Sequence, residues 1–162
     1  MDRQAEPLTN AELADILFRM AELVEIEGGN PFRARAYRRG ATTIRNLPFS
    51  AAERVASGET LEGLPGIGED LDRKIGEACR TGRLAALAEL EARLPAALVA
   101  LSAVPGIGPK RLRRLHEELA VDSIEDLRRA AEAGRIRRLS GFGPVFEARV
   151  LREAALAGER TP

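Results

Sequence analysis

The chain has 162 residues, of which 44% are apolar and 31% charged, a composition that fits one domain or two small ones with a buried core. Its one cysteine and one histidine exclude an internal disulfide and a multi-cysteine or histidine-rich metal centre, and they argue against a Ser-His-Asp triad. The longest apolar runs, such as Ala96–Leu101, fall far short of the roughly 20 residues that span a bilayer. The N-terminus has no apolar signal region, so we expect a cytoplasmic protein with no membrane partner.

Every element that the sequence predicts is a helix. Thr9 and Glu12 form a capping box ahead of an apolar stripe of helical period, and Gly28 ends that helix. Asn30-Pro31 starts a second helix, which runs to about Asn46. Further helices are predicted from Ser50 to Gly58 and over Glu69–Arg80, Leu84–Leu94, Pro109–Leu119, Ile124–Ala133 and Pro144–Ala157. The predicted fold class is all-α with short connections.

Charge is segregated along a chain whose 25 basic and 25 acidic residues cancel. Residues 1–27 hold seven acids and two arginines, a local charge of −5, whereas residues 31–45 hold five arginines and no acid. Two further acid-free basic blocks lie at residues 110–114 and 135–138. This segregation allows a positive face for nucleic acid on a neutral protein, and a solvated surface of salt-bridged helices is the alternative.

A short glycine motif occurs three times. Leu64-Pro65-Gly66-Ile67-Gly68 (turn 1) recurs as Val104-Pro105-Gly106-Ile107-Gly108 (turn 2) and more loosely as Leu139-Ser140-Gly141-Phe142-Gly143 (turn 3), and each copy opens a predicted helix. We expect turn 1 to belong to an N-terminal domain over residues 8–90. Turns 2 and 3 then share a C-terminal domain over residues 91–158.

Two glycines around one apolar residue have a clear chemical use. They let the backbone turn sharply and approach a partner, while the apolar residue points inward and pins the turn to the core. The free N–H groups and the dipole of the helix that follows favour an anion. Lys110 and Arg111 after turn 2 suit a phosphodiester, whereas Glu69-Asp70 after turn 1 suits it poorly. Such contacts read no bases, so the motif predicts sequence-independent DNA binding; a tight helix–helix connection is the alternative for a single turn.

Together these segments resemble the N-terminal half of a bacterial family X DNA polymerase, which is DNA polymerase beta-like. The resemblance runs from about Leu8 to Gly158 and is carried by three groups of residues: Asn30 to Arg39; Leu64 to Gly68 with Lys74-Ile75 and Thr81-Gly82-Arg83-Leu84; and Val104 to Lys110. It implies a lyase-like domain over 8–90 and a thumb-like helix-hairpin-helix domain over 91–158. It also implies a nucleoid-associated base-excision-repair module that recognises gapped or 5′-phosphorylated DNA.

In that family a palm domain with metal-binding aspartates follows these regions. We therefore expect no polymerase activity from this chain alone. A palm domain is an expected partner if the chain is a fragment, and a stand-alone protein is the other reading.

The resemblance also assigns roles to individual residues. Lys74 matches the Schiff-base lysine of a 5′-deoxyribose-phosphate lyase, Tyr37 a pocket tyrosine and Arg33 a phosphate-binding position. The candidate DNA contacts are Arg33, Arg35, Tyr37, Arg38, Gly66, Gly68, Gly106, Gly108, Lys110 and Arg111. A monovalent cation, K⁺ or Na⁺, is implied at the backbone carbonyls of Glu62, Leu64 and Ile67 and of Ser102, Val104 and Ile107, although DNA binding itself requires no cofactor. Asp70, Glu62 and Ala86 stand where the family places lysines, so this pocket carries less positive charge.

The reactivity of Lys74 is a question of charge. A lysine must be neutral to attack an aldehyde, and at the reference pKa only ~1 in 2,500 is neutral at pH 7. Asp70 lies four residues earlier on the same predicted helix, so we expect it to pair with Lys74 and raise the lysine pKa. An ordinary Asp–Lys surface pair and a reactive lysine both fit this spacing.

Three functions fit the sequence. The first is a DNA-binding repair module, the second a deoxyribose-phosphate or abasic-site lyase that uses Lys74, and the third a protein-interaction scaffold that keeps the hairpins without DNA. The acid-free stretch 31–45 favours DNA, because a protein partner has no obvious need for it.

Overall fold

The computed structural model describes residues 6–159, with side chains as far as Leu156. Within that range the chain is all-α, as predicted, with nine helices and no strand. The helices are α1 (Asn10–Glu27), α2 (Pro31–Arg45), α3 (Ala51–Ala56), α4 (Glu69–Thr81), α5 (Ala85–Arg93), α6 (Ala96–Ser102), α7 (Pro109–Leu119), α8 (Ile124–Glu132) and α9 (Pro144–Glu159). The chain divides into two compact units: unit 1 ends at Leu90, and unit 2 begins at Glu91. Residues 1–5 lie outside the described residues. They include the start of the acid-rich stretch and of the N-terminus in which we expect no signal sequence.

The first helices begin and end at the predicted residues. Glu12 N–H donates to Thr9 Oγ1 at 3.1 Å and Thr9 N–H donates to Glu12 Oε1 at 3.2 Å, which completes the capping box of α1. Gly28 ends α1 in the left-handed conformation, with φ of 83°. Asn30 Oδ1 then accepts from Phe32 N–H at 2.9 Å, and Pro31 is the first residue of α2. Local side-chain chemistry is therefore sufficient to set these helix ends.

Helix α6 was not predicted. It covers the apolar run Ala96–Leu101, which is too short to span a membrane, and it ends at Ser102. Its N-cap is Pro95, which provides no side-chain hydrogen bond. Because all six residues from Ala96 to Leu101 are apolar, the run lacks the alternation of apolar and polar residues that identifies a helix.

Unit 1 is built on the packing of α1 against α2. Leu17 and Leu23 of α1 and Tyr37 and Ile44 of α2 lie in its core. Two basic residues of α2 pair with acids of α1: Arg38 with Glu25, and Arg45 with Asp15 at 3.0 Å. Within the described part of the chain, the other arginines of α2 form no ion pair; they are Arg33, Arg35 and Arg39. The positive face is therefore smaller than the sequence count suggests.

Turn 1 is fixed to α2 by a hydrogen bond and by close packing. Thr43 Oγ1 donates to Pro65 O at 2.5 Å. A Cβ atom on Gly40 would lie 2.2 Å from Leu71 Cδ2, so a larger residue at this position would require the Leu71 side chain to move. Asp72 of α4 also accepts from Leu61 N–H at 2.7 Å. These contacts hold α2, turn 1 and the start of α4 in one arrangement.

Unit 2 contains α6 to α9 with turns 2 and 3 between them. Its core includes Leu115, Leu127 and Val150, which are fully buried. Glu147, the one buried carboxylate among the described residues of unit 2, accepts from Arg137 N–H at 2.9 Å, so its burial is compensated by a backbone donor. Among the described residues, no helix of either unit is long and apolar enough to cross a membrane.

Candidate nucleic-acid interface

The three turns share one backbone conformation. Their first glycines are left-handed, with φ of 78° at Gly66, 89° at Gly106 and 85° at Gly141. The same hydrogen bond recurs in each: Ile67 N–H to Leu64 O at 2.9 Å, Ile107 N–H to Val104 O at 3.1 Å and Phe142 N–H to Leu139 O at 3.1 Å. The apolar residue between the glycines is buried in all three, which confirms that it pins the turn to the core.

The second glycines leave the following helices open at their N-termini. Gly68 and Gly108 are the N-caps of α4 and α7, and no described side chain caps either helix. Both have extended backbones, and apart from the adjacent residues no described atom lies within 4 Å of the position that a Cβ atom on them would occupy. The amides of Lys110 and Arg111 at the start of α7, and those after Gly68 at the start of α4, therefore have no side-chain cap, and an anion can accept hydrogen bonds from them.

The residues after turn 2 differ in what they contact. Lys110 is exposed and forms no ion pair with a described residue. Arg111 Nη1 instead donates to Gly106 O at 3.0 Å, and its guanidinium lies 4.5 Å from the centre of the Phe146 ring. Of the two predicted contacts, Lys110 is the one whose charge is free to face a ligand.

A further cation, which no sequence pattern predicts, lies beside turn 2. A Cβ atom on Gly106 would lie 3.5 Å from Nη1 of Arg149, an exposed residue of α9. Arg149 follows Gly106 by 43 residues, so no local pattern connects the two positions. Only the packing of unit 2 brings them together.

Turn 1 borders a cavity of about 300 Å³. Its lining residues come from α2, turn 1 and the start of α4: Arg33, Ala36, Tyr37, Gly66, Gly68, Glu69, Asp70 and Leu71. Four predicted site residues, Arg33, Tyr37, Gly66 and Gly68, thus meet at one place. The two other predicted arginines of α2 lie elsewhere, since Arg35 faces the exposed Phe32 ring at 5.4 Å and Arg38 pairs with Glu25.

Lys74 binds two residues that line this cavity. Its Nζ donates to Tyr37 OH at 2.7 Å and to Asp70 Oδ2 at 2.8 Å, and its side chain is only 14% exposed. Burial favours the neutral amine, but the hydrogen bonds to Asp70 and Tyr37 outweigh it and raise the pKa of Lys74. The hydrogen bond from Lys74 in turn lowers the pKa of Asp70, with Arg73 adding to the effect. The predicted Asp70–Lys74 pair is confirmed, and it stabilises the ammonium form.

The carbonyls assigned to a monovalent cation already take part in the turns. Leu64 O accepts from Ile67 N–H, Ile67 O accepts from Gly63 N–H at 3.1 Å, and Val104 O accepts from Ile107 N–H. A carbonyl oxygen has two lone pairs, so each can still bind a second partner. Backbone carbonyl oxygens are the usual ligands of K⁺ in proteins, so the chemistry of these oxygens fits a monovalent cation.

Comparison with known proteins agrees with this architecture. A model described as a helix-hairpin-helix domain matches residues 8–84, and one described as a SAM-like helix-hairpin-helix tandem matches residues 58–120 and 98–155. The chain is 30% identical over 149 residues to the DNA polymerase/3′-5′ exonuclease PolX of Bacillus subtilis (strain 168). That alignment covers 92% of this chain and 25% of the relative, so the chain spans about a quarter of the relative's length. The chain belongs to the helix-hairpin-helix family and is similar over most of its length to the N-terminal part of a family X DNA polymerase.

Proposed function

We propose that this chain binds DNA through backbone phosphates held at turns 1 and 2, without reading base sequence. The observation that carries the proposal is the open N-terminus of α7, where the uncapped amides after Gly108 lie beside the free charge of Lys110. The helix-hairpin-helix matches and the similarity to a DNA polymerase support it.

The chemistry of turn 2 follows from its backbone. A phosphate oxygen can accept from the first amides of α7 because the absence of a side chain on Gly108 lets the DNA backbone approach. The helix dipole and Lys110 add positive potential at the same place. Since these groups meet only the sugar–phosphate backbone, the contact holds DNA in position but does not select a sequence.

We place a strand end in the cavity beside turn 1, where Arg33 supplies a cation and Glu69 and Asp70 supply opposing negative charge. The cavity is bordered by the exposed Arg33 and by Gly68, which opens α4. A terminal 5′-phosphate carries more negative charge than an internal phosphodiester, and a guanidinium can bind it through two hydrogen bonds. The proposal therefore includes a preference for gapped or 5′-phosphorylated DNA, as part of a repair reaction.

A comparison of four duplexes tests this preference: intact, nicked, and gapped with either a 5′-phosphate or a 5′-hydroxyl. We expect the 5′-phosphorylated gap to bind tightest in fluorescence anisotropy. Arg33→Gln should remove the preference for phosphate, whereas Arg35→Gln removes the same charge outside the cavity and should retain it. Equal affinity of the wild-type chain for the two gapped duplexes would contradict the proposal.

A monovalent cation fits the same account. The carbonyls of Glu62, Leu64 and Ile67 would hold K⁺ or Na⁺ beside turn 1, and those of Ser102, Val104 and Ile107 would hold one beside turn 2. When bound, the ion would supply positive charge close to the phosphate. The amides after Gly68 and Gly108 bind phosphate with or without it.

A second candidate function is 5′-deoxyribose-phosphate lyase, favoured by the hydrogen bond between Lys74 and the cavity residue Tyr37. Neutral Nζ would attack the C1′ aldehyde, and loss of water would form an imine. Loss of a C2′ proton then breaks the C3′–O3′ bond, which leaves a 5′-phosphate on the downstream strand. Hydrolysis of the imine would release the sugar phosphate and restore Lys74.

Borohydride reduction of the imine tests this candidate, because it traps the protein on 5′-deoxyribose-phosphate DNA. Trapping should be lost in Lys74→Ala, whereas Lys110→Ala, which removes the other lysine of the sequence, should still be trapped once the DNA is saturated with protein. If the wild-type chain binds this DNA and yet no complex is trapped, the lyase candidate is wrong and DNA binding stands.

A further inference from the structure

Turns 2 and 3 carry arginines at the same spacing. Arg114 is the sixth residue after Gly108, and Arg149 is the sixth residue after Gly143. Each lies beside the turn of the other motif: Arg114 Nη1 is 3.5 Å from the position of a Cβ atom on Gly141, and Arg149 Nη1 is 3.5 Å from that on Gly106. The two motifs of unit 2 therefore exchange an arginine.

The residues at the third position after each motif also meet. They are Arg111 and Phe146, and the guanidinium lies 4.5 Å from the ring centre. Equivalent positions contact each other when two similar elements pack about an approximate two-fold axis. The exchange of arginines thus agrees with an approximate two-fold relation between turn 2 with α7 and turn 3 with α9.

The exchanged arginines differ in their partners. Arg114 Nη1 donates to Ser140 O, its Nε donates to Glu118 Oε2 at 3.0 Å, and its guanidinium lies 5.0 Å from the centre of the Phe142 ring. Arg149 is exposed and forms no ion pair with any described residue. The arginine at turn 3 is therefore satisfied within the protein, whereas the one at turn 2 keeps its donors available.

We propose that Arg149 is a phosphate-binding residue of turn 2, supplied by the helix that follows turn 3. The inference rests on the proposed binding of DNA at turn 2. Its guanidinium lies beside Gly106, on the turn that opens α7, a helix with no side-chain cap and with Lys110 exposed in its first turn. A planar guanidinium there can bind the phosphate that these amides hold, through two hydrogen bonds. Arg111, which the protein holds on Gly106 O, then supports the turn while Lys110 and Arg149 contact the DNA.

Salt dependence separates a phosphate contact from a general loss of charge. Each phosphate neutralised contributes about −0.9 to the slope of log affinity against log salt concentration. Arg149→Ala should therefore make the slope less steep by about 0.9. Arg152→Ala removes the same charge from another exposed position of the same helix, three residues further on, and should leave the slope unchanged. Arg149→Lys should keep the slope, since it keeps a cation at the position.

Thermal unfolding of each variant establishes that the titrations compare folded proteins. Equal slopes for Arg149→Ala and the wild-type chain would overturn the inference, as would equal changes in Arg149→Ala and Arg152→Ala. Both results presuppose that the wild-type chain binds DNA with a steep salt dependence. A wild-type chain without that dependence would overturn the proposed function itself, so the two failures are distinguishable.

Discussion

At the scale of single residues, the charge on Lys74 decides whether the cavity beside turn 1 can carry out imine chemistry. Asp70 and Tyr37 raise the pKa of Lys74, and Lys74 lowers the pKa of Asp70. The contribution of Lys74 to stability is full below its unfolded pKa of about 10.4 and is lost as the pH rises through its raised folded value. That of Asp70 is full above about pH 4 and is lost as the pH falls through its lowered value. Near neutral pH the pair is fully charged.

Replacing the Asp70 carboxylate should make the neutral form of Lys74 more accessible. In Asp70→Asn the pKa of Lys74 should fall, because burial remains and the charged partner is gone. The measurement is a pH titration of the two lysine Cε signals by NMR in protein with ¹³C-labelled lysine, where Lys110 provides the internal control. If Lys74 is the lyase nucleophile, borohydride trapping at pH 7 should rise in the same variant. An unchanged Lys74 pKa would show that Asp70 does not hold its charge.

At the scale of elements, turn 2 uses glycine for two separate reasons. Gly106 has a left-handed backbone that other residues adopt only at a cost, whereas Gly108 has an extended N-cap backbone with φ of −82° and ψ of 172°. The latter is close to that of Thr9, which caps α1 through its hydroxyl group. Gly108 is therefore not required by conformation, and its lack of a side chain keeps the helix N-terminus open.

Substitution at Gly108 should therefore change stability and binding in opposite directions. In Gly108→Ser the hydroxyl group should cap α7 and raise the free energy of unfolding by at most about 0.5 kcal/mol. The same hydroxyl occupies the amides that phosphate would use, so DNA affinity should fall several-fold. Thermal unfolding and fluorescence anisotropy measure the two effects. Gly106→Ser is the matched control, because it places the same side chain on the same turn without capping α7. It should cost about 1–2 kcal/mol of stability, because serine disfavours the left-handed backbone of this position. A Gly108→Ser chain that binds DNA like the wild type would contradict this role of the amides.

The sequence predicts those elements whose signals are local. The ends of α1 and the start of α2 depend on side chains within a few residues, and the Asp70–Lys74 pair depends on helical spacing, so all of them were predictable. Helix α6 has no capping side chain and little buried surface, and its sequence gave no signal. The position of Arg149 beside Gly106 depends on the packing of α9, which residue patterns do not encode.

At the scale of the whole molecule, a net charge of zero makes the arrangement of charge decisive. Acids of α1 pair with Arg38 and Arg45 on one side of α2, while Arg33, Arg35 and Arg39 form no ion pair within the described residues. Without an overall positive charge, long-range attraction to DNA is weak, and affinity has to come from local phosphate contacts at the turns. Binding should therefore depend on salt and not on base sequence.

The most direct test of this account is the affinity of the intact chain for two DNA duplexes of the same structure and unrelated sequence, measured at several salt concentrations. Phosphate contacts at the turns predict that log affinity falls linearly with log salt concentration, by about 0.9 per phosphate, and that both sequences follow the same line. An affinity that does not change with salt, or a difference of more than about tenfold between the two sequences, would contradict binding through the backbone.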